Sequence, residues 1–147
     1  MKKTRRMHFS KETLRKLHDY FIKELNVYTV YLFGSYGTEC ETRMSDIDIA
    51  ILFHDKSIPL IEEMRTGAEV EFILGQRKVD VVNLNKTNMS LQHEIISTGI
   101  KLFERDPVFT ADFVESVLKR YFDFGFTLKK LKQDYLQSLR EEYLNGN

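Results

Sequence analysis

Tyr31-Leu32-Phe33-Gly34-Ser35 and, after ten further residues, Asp46-Ile47-Asp48-Ile49-Ala50-Ile51-Leu52-Phe53 decide how this chain reads. One apolar run ends in Gly-Ser, and a second opens with two aspartates one residue apart. Residues i and i+2 of a strand share a face. Asp46 and Asp48 are therefore expected side by side, with Ile47, Ile49 and Ile51 on the opposite face. Two carboxylates that close repel each other unless a cation lies between them. Hard divalent ions such as Mg²⁺ take such oxygen ligands and complete their shell with phosphate and water. Gly34-Ser35 supplies a complementary half. Glycine allows close approach of the backbone to a phosphate, and a serine hydroxyl with free N–H groups binds its oxygens.

Working toward the N-terminus, Val27–Phe33 is rich in β-branched and aromatic residues and reads as the first strand. Before it, Ser10 is a plausible N-cap for a helix over about 11 to 25, with Leu14, Leu17, Phe21 and Leu25 as its apolar stripe. His18 lies beside that stripe and reads as a core-edge residue. The polar loop Tyr36–Ser45 is expected to begin with a short helix whose N-terminus faces phosphates. Within it, Arg43 either contacts a phosphate or pairs with Glu39 or Glu41, and Cys40 reads as incidental.

Toward the C-terminus, Asp46–Phe53 is nearly all apolar after Asp48, the mark of a strand covered on both faces. Ser57-Ile58-Pro59 predicts a helix start with proline in the first turn, and Gly75 its stop. Leu60, Ile61, Met64, Ala68 and Phe72 are expected on its buried side, with Glu62, Glu63, Glu69 and Glu71 solvated. Arg77–Leu84 reads as a third strand. Its Asp80, among valines, needs a partner: either a cation shared with the other acids, or Arg77 or Lys78. A helix over Ser90–Thr98 closed by Gly99 and an edge strand Ile100–Phe103 follow. Asp106-Pro107 opens a long helix, either continuous or broken near Gly125. One apolar stripe runs from Phe109 through Val117, Phe124 and Leu131 to Leu139, and a second through Val114, Leu118, Phe122 and Phe126. Two apolar faces on one helix predict that one is covered by a partner or a second copy.

The joint pattern Gly34-Ser35-x10-Asp46-x-Asp48 resembles the signature of the DNA polymerase β-like nucleotidyltransferase superfamily. It is most similar to the minimal MNT branch, small domains found as antitoxins beside HEPN toxins. Tyr36, Arg43, Ser45 and Lys78-Val-Asp80-Val-Val-Asn-Leu84 extend the likeness, which covers about residues 10 to 104. The chain departs from the family at Glu39, where a glycine is common. The resemblance implies an α/β (α+β) fold, a small mixed sheet flanked by helices with a long C-terminal helical segment. It implies Asp46, Asp48 and Asp80 as catalytic, metal-binding carboxylates holding two Mg²⁺ ions, and Gly34, Ser35, Arg43 and Ser45 as the nucleotide cradle. Asp80 would help to activate the attacking hydroxyl, through the second ion or as general base. The implied activity is transfer of AMP from ATP to a hydroxyl, a tyrosine of a cognate HEPN ribonuclease toxin, which makes the chain an antitoxin. A nucleotidyltransferase for an aminoglycoside-like small molecule, or an antitoxin acting by binding alone, are the competing expectations.

The bulk properties are compatible with this. A chain of 147 residues with 42% hydrophobic content can bury one core. We divide it into a basic N-terminal segment, 1–9, a core, 10–105, and a C-terminal helical segment, 106–147. Zero net charge gives no general drive toward nucleic acid or an anionic membrane. One cysteine excludes an internal disulfide and suits a reducing compartment. No apolar run approaches the ~20 residues a membrane span requires, and no signal-peptide core is visible, so a cytoplasmic location is expected. Dinucleotide, Walker-type and zinc-binding spacings are missing from the sequence.

Overall fold

The computed structural model describes residues 9–34 and 46–145. Helix α1 (Lys11–Lys23) leads into β1 (Val27–Phe33), then β2 (Ile47–Phe53), α2 (Leu60–Ile73), β3 (Val79–Asn83), α3 (Met89–Thr98), β4 (Ile100–Glu104) and α4 (Pro107–Leu144). The strands form one mixed sheet in the order β3-β2-β1-β4. β1 runs antiparallel to β2 and β4, whereas β2 and β3 are parallel. A parallel pair requires a crossover, and α2 supplies it.

The period-2 pattern of β2 sorts its side chains onto two covered faces, as its apolar run predicts. Ile47, Ile49, Ile51 and Phe53 join Leu17 and Phe21 of α1 and Val70 of α2 in one buried cluster. Ala50 and Leu52 join Tyr31, Leu84 and Ile95 in a second cluster, against which Phe109 and Phe113 of α4 pack. Helices α1 and α2 thus cover one face, α3 and α4 the other.

The ends of the helices follow their caps. The Ser10 hydroxyl accepts from Thr13 N–H at 3.1 Å, and Asn88 caps α3 by accepting from Leu91 N–H at 2.9 Å. The Arg105 guanidinium donates to the carbonyls of Phe21, Ile22 and Glu24 at 2.9 to 3.1 Å. It thereby satisfies the orphan acceptors at the end of α1. Helix α1 stops at Lys23, so Leu25 lies beyond it and is exposed rather than part of its stripe. His18 is exposed with its ring edge-on to Phe103 at 5.5 Å, a core-edge contact as expected.

Helix α2 corrects two expectations. Pro59 is its N-cap rather than a first-turn residue. Its buried residues are Glu63, Thr66, Gly67 and Val70, while Leu60, Ile61, Met64 and Phe72 are 62 to 75% exposed and Ala68 is exposed too. The helix is turned so that its apolar stripe faces outward. Inward-facing Glu63 is tolerated because it accepts from Asn83 Nδ2 at 2.6 Å and lies 3.5 Å from Lys86 Nζ. Glu71 is not purely solvated either, since it accepts from Val79 N–H at 3.0 Å.

Outside the core, Tyr20 donates to Glu69, which Arg65 also grips at 3.0 Å. Burial, then this hydrogen bond, raise the Tyr20 hydroxyl above its ordinary 10.0. The folded state therefore keeps the phenol neutral where the unfolded chain ionises. Its contribution is present in full below pH 10 and is lost as pH climbs past that value toward the folded one. Tyr20→Phe is expected to cost about 1 kcal/mol at pH 8. Urea unfolding at pH 8 and 11 should show the variant losing less stability between the two than the unaltered chain.

Helix α4 is continuous over 38 residues, with Asp106 as N-cap and Pro107 in its first turn. Gly125 does not break it. At 1.5 Å per residue it is about 57 Å long. Thr110 and Val117 are buried, and every described residue from Phe122 onward is exposed. No helix among the described residues is long and apolar enough to cross a membrane.

Candidate active site

The end of β1 and the beginning of β2 meet at Phe33, which is the register partner of Asp48. On the other side of β2, Asp48 is the register partner of Asp80. Partners across a ladder share a face, and neighbouring strands lie ~4.8 Å apart. The two carboxylates are therefore lateral neighbours at one end of the sheet, on the face that α3 and α4 cover further along. Asp46 precedes β2 by one residue and forms an ion pair with Lys78, Nζ to Oδ2 at 3.3 Å.

Gly34 closes the arrangement. Its φ of 79° lies in the left-handed region. A Cβ built on it would stand 2.2 Å from Asp48 Oδ2 and 3.0 Å from Asp48 Cγ. The missing side chain is what lets the turn after β1 rest against the carboxylate. Both the backbone angle and the space require glycine here.

Sequence reasoning left Lys78 as one of two possible partners for Asp80; the structure pairs it with Asp46. Its ammonium is held above its ordinary value by the hydrogen bond to Asp46 and that carboxylate's charge, then by the charge of Asp80. Lys78 precedes β3 by one residue, two positions before Asp80, and that spacing was the available signal. The three acids do not form a ready-made cage: among the described residues no group of three His, Cys, Asp or Glu side chains is poised around one point. Like charges without a cation move apart, and Lys78 already engages Asp46. The donor chemistry still suits a hard divalent ion. Carboxylate oxygens at the end of a sheet fill part of a shell that Mg²⁺ completes with phosphate and water. Ser35, Tyr36, Glu39, Cys40, Arg43 and Ser45 lie outside the described residues, so the phosphate-cradle expectations are represented structurally by Gly34 alone.

A mixed four-stranded sheet with paired acids at the β1–β2 turn and a third on the parallel neighbour defines a nucleotidyltransferase core. The chain belongs to the polymerase beta nucleotidyltransferase family, whose model matches residues 15–108. No curated protein sequence matches it. Among solved structures, a chain from a toxin–antitoxin with AMP-PNP is 22% identical with a TM-score of 0.66, covering 87% of this chain and 99% of its own. A chain of the tri-AMPylated Shewanella oneidensis HEPN toxin in complex with MNT antitoxin is 21% identical. Its TM-score is 0.64, with 86% of this chain and 98% of its own covered. A chain of the MntA–HepT toxin–antitoxin gives 19% and 0.64, covering 86% and 99%. At these identities the likeness is one of fold.

Proposed function

We infer that this nucleotidyltransferase moves AMP from ATP to a hydroxyl of a partner protein, a tyrosine of a HEPN-type toxin, and so acts as that toxin's antitoxin. The observation that carries the reading is the Asp48–Asp80 register beside Gly34. The similar structures, a toxin–antitoxin with an ATP analogue and an AMPylated HEPN toxin in complex with MNT antitoxin, support the donor and the acceptor class. The apolar surface of α4 left uncovered by its own fold supports a protein rather than a small molecule as acceptor, with α4 as one of the faces the partner covers.

In this reading Asp46, Asp48 and Asp80 would hold Mg²⁺, which would supply charge neutralisation at the triphosphate and at the attacking oxygen. Gly34, Ser35, Arg43 and Ser45 bind the outer phosphates and fix the α-phosphorus in line with the acceptor. The acceptor oxygen forms a bond to that phosphorus, the bond to the bridging oxygen of pyrophosphate breaks, and pyrophosphate leaves. Asp80, the exposed one of the pair, takes the hydroxyl proton. Alignment and charge stabilisation provide most of the acceleration. Lys78 would have to release Asp46 for that carboxylate to serve as a ligand.

Mass spectrometry of the product of the neighbouring reading frame, after incubation with this chain, ATP and Mg²⁺, tests the proposal. Gains in whole AMP units are expected, and they should vanish with a chelator or with Asp46→Asn/Asp48→Asn. A stable complex without mass gain would replace transfer by binding alone. Neither complex nor gain would direct the search to small-molecule acceptors.

A further inference from the structure

The outward stripe of α2 runs beside a second feature that the fold leaves open. β3 is an outer strand of the sheet, and among the described residues no strand pairs with its far edge. Lys78 O accepts from Ile47 N–H and Leu84 N–H donates to Ile51 O, each at 2.9 Å. The even-numbered positions of β3 thus bond to β2, and the main chain of Val79 and Val81 turns outward. Glu71 occupies the Val79 N–H at 3.0 Å and leaves Val81 as the open rung.

Between this edge and α2 lies a groove of about 340 Å³, lined by Leu60, Met64 and Ala68 on the helix and by Val79, Asp80 and Val81 on the strand. Gly67 brings helix and strand together, since a Cβ there would lie 3.1 Å from Val81 Cγ2. The groove has an apolar floor, an open main-chain edge and the acid Asp80 at its rim.

We propose that the groove is the docking track for the protein acceptor: an extended segment adds itself to the β3 edge, seats an apolar side chain on Met64 and Ala68, and presents its hydroxyl to Asp80. Main-chain pairing gives such a segment its affinity, and pockets for alternate side chains give specificity. Two observations choose this occupant. Asp80 stands at the rim of the groove but on the sheet face away from α2, so in a strand laid along the edge the residue next to the one seated on Met64 and Ala68 is the one that reaches the acid. A second copy pairing edge to edge would instead bring two Asp80 carboxylates together, which like-charge repulsion opposes. Glu71 and Asp80 outnumber Lys78 along the rim; the segment is therefore expected to carry a basic residue near its hydroxyl. The inference rests on the reading of this chain as a transferase with a protein acceptor.

The test compares Met64→Asp and Ala68→Asp with the unaltered full-length chain, using the HEPN-type protein and ATP. Both positions are exposed, so thermal unfolding and nucleotide affinity should stay as they are. The kcat/KM for the protein acceptor should fall at least tenfold, and Arg or Lys to Glu changes beside the modified residue should lower it as well. In a measurement that needs no variant, the Val81 amide should exchange more slowly once the acceptor is bound. Unchanged kcat/KM in both variants, or unchanged Val81 exchange in the complex, would overturn the docking track while protein transfer stands. If the unaltered chain neither binds nor modifies the protein, both readings fall together.

Discussion

Gly34→Ala lowers nucleotidyl transfer by about 10²-fold or more and folding stability by about 2 kcal/mol. The stability loss has two sources. A left-handed backbone costs a non-glycine residue roughly 1–2 kcal/mol, and the new methyl would meet Asp48 Oδ2 at 2.2 Å. The same collision moves the carboxylate, and a displacement on the order of 1 Å in an aligned site costs about 10² in rate. Transfer assayed with labelled ATP, beside urea unfolding, measures both. Gly125→Ala is the natural control. It faces open space in the middle of α4, so about 0.5–1 kcal/mol of added helix stability with unaltered nucleotide binding is expected.

Asp48→Asn is expected to remove about 10³-fold or more of the transfer rate without lowering the melting temperature. The substitution keeps shape but turns one acceptor oxygen into a donor and removes a charge from the middle of the acid group, between its register neighbour Asp80 and the preceding Asp46. Electrostatic stabilisation is commonly the largest single contribution to catalysis, with about 10²–10³ for the loss of one donor. Loss of a charge that holds both substrate and counter-ion should exceed that. In the free protein, repulsion from Asp80 and Asp46 offsets what the carboxylate's own contacts contribute to the fold. Stability and activity then move apart, the pattern of a functional site maintained at some cost to the fold. A melting temperature lowered by several degrees would instead mark Asp48 as a structural residue.

Much of this arrangement was legible in the sequence because it depends on local periodicity. The strand Val27–Phe33 appears with the expected bounds, as β-branched and aromatic residues between Asn26 and Gly34 predict. The single-residue spacing of Asp46 and Asp48 put Ile47, Ile49 and Ile51 in the core. Helix α2 was misread for a physical reason. An apolar stripe identifies the dry face of a helix only when its own fold provides the cover. Here Glu63 finds Asn83 and Lys86, and Gly67 is thin enough to lie against Val81. Which partners await a polar side chain cannot be read from one helix. The pairing of Lys78 with Asp46 rather than Asp80 was not foreseen, because which acid lies beside it depends on strand register. The break left open at Gly125 does not occur: one glycine costs about 1 kcal/mol, too little to interrupt a helix of 38 residues. Ser35, Arg43 and Ser45, read as phosphate ligands, remain proposals carried by the motif.

From Phe122 to Leu144 nothing in its own fold touches α4 closely enough to hide it, so its helicity there depends on intrinsic propensity. The core and this free arm melt as separate events, the arm first and with little cooperativity. Amide exchange along the arm should therefore run fast in the isolated protein, out of step with the slow amides of β1 and β2. When a partner lies on it, the two rates should converge. The arm would then report, residue by residue, whether the molecule is alone.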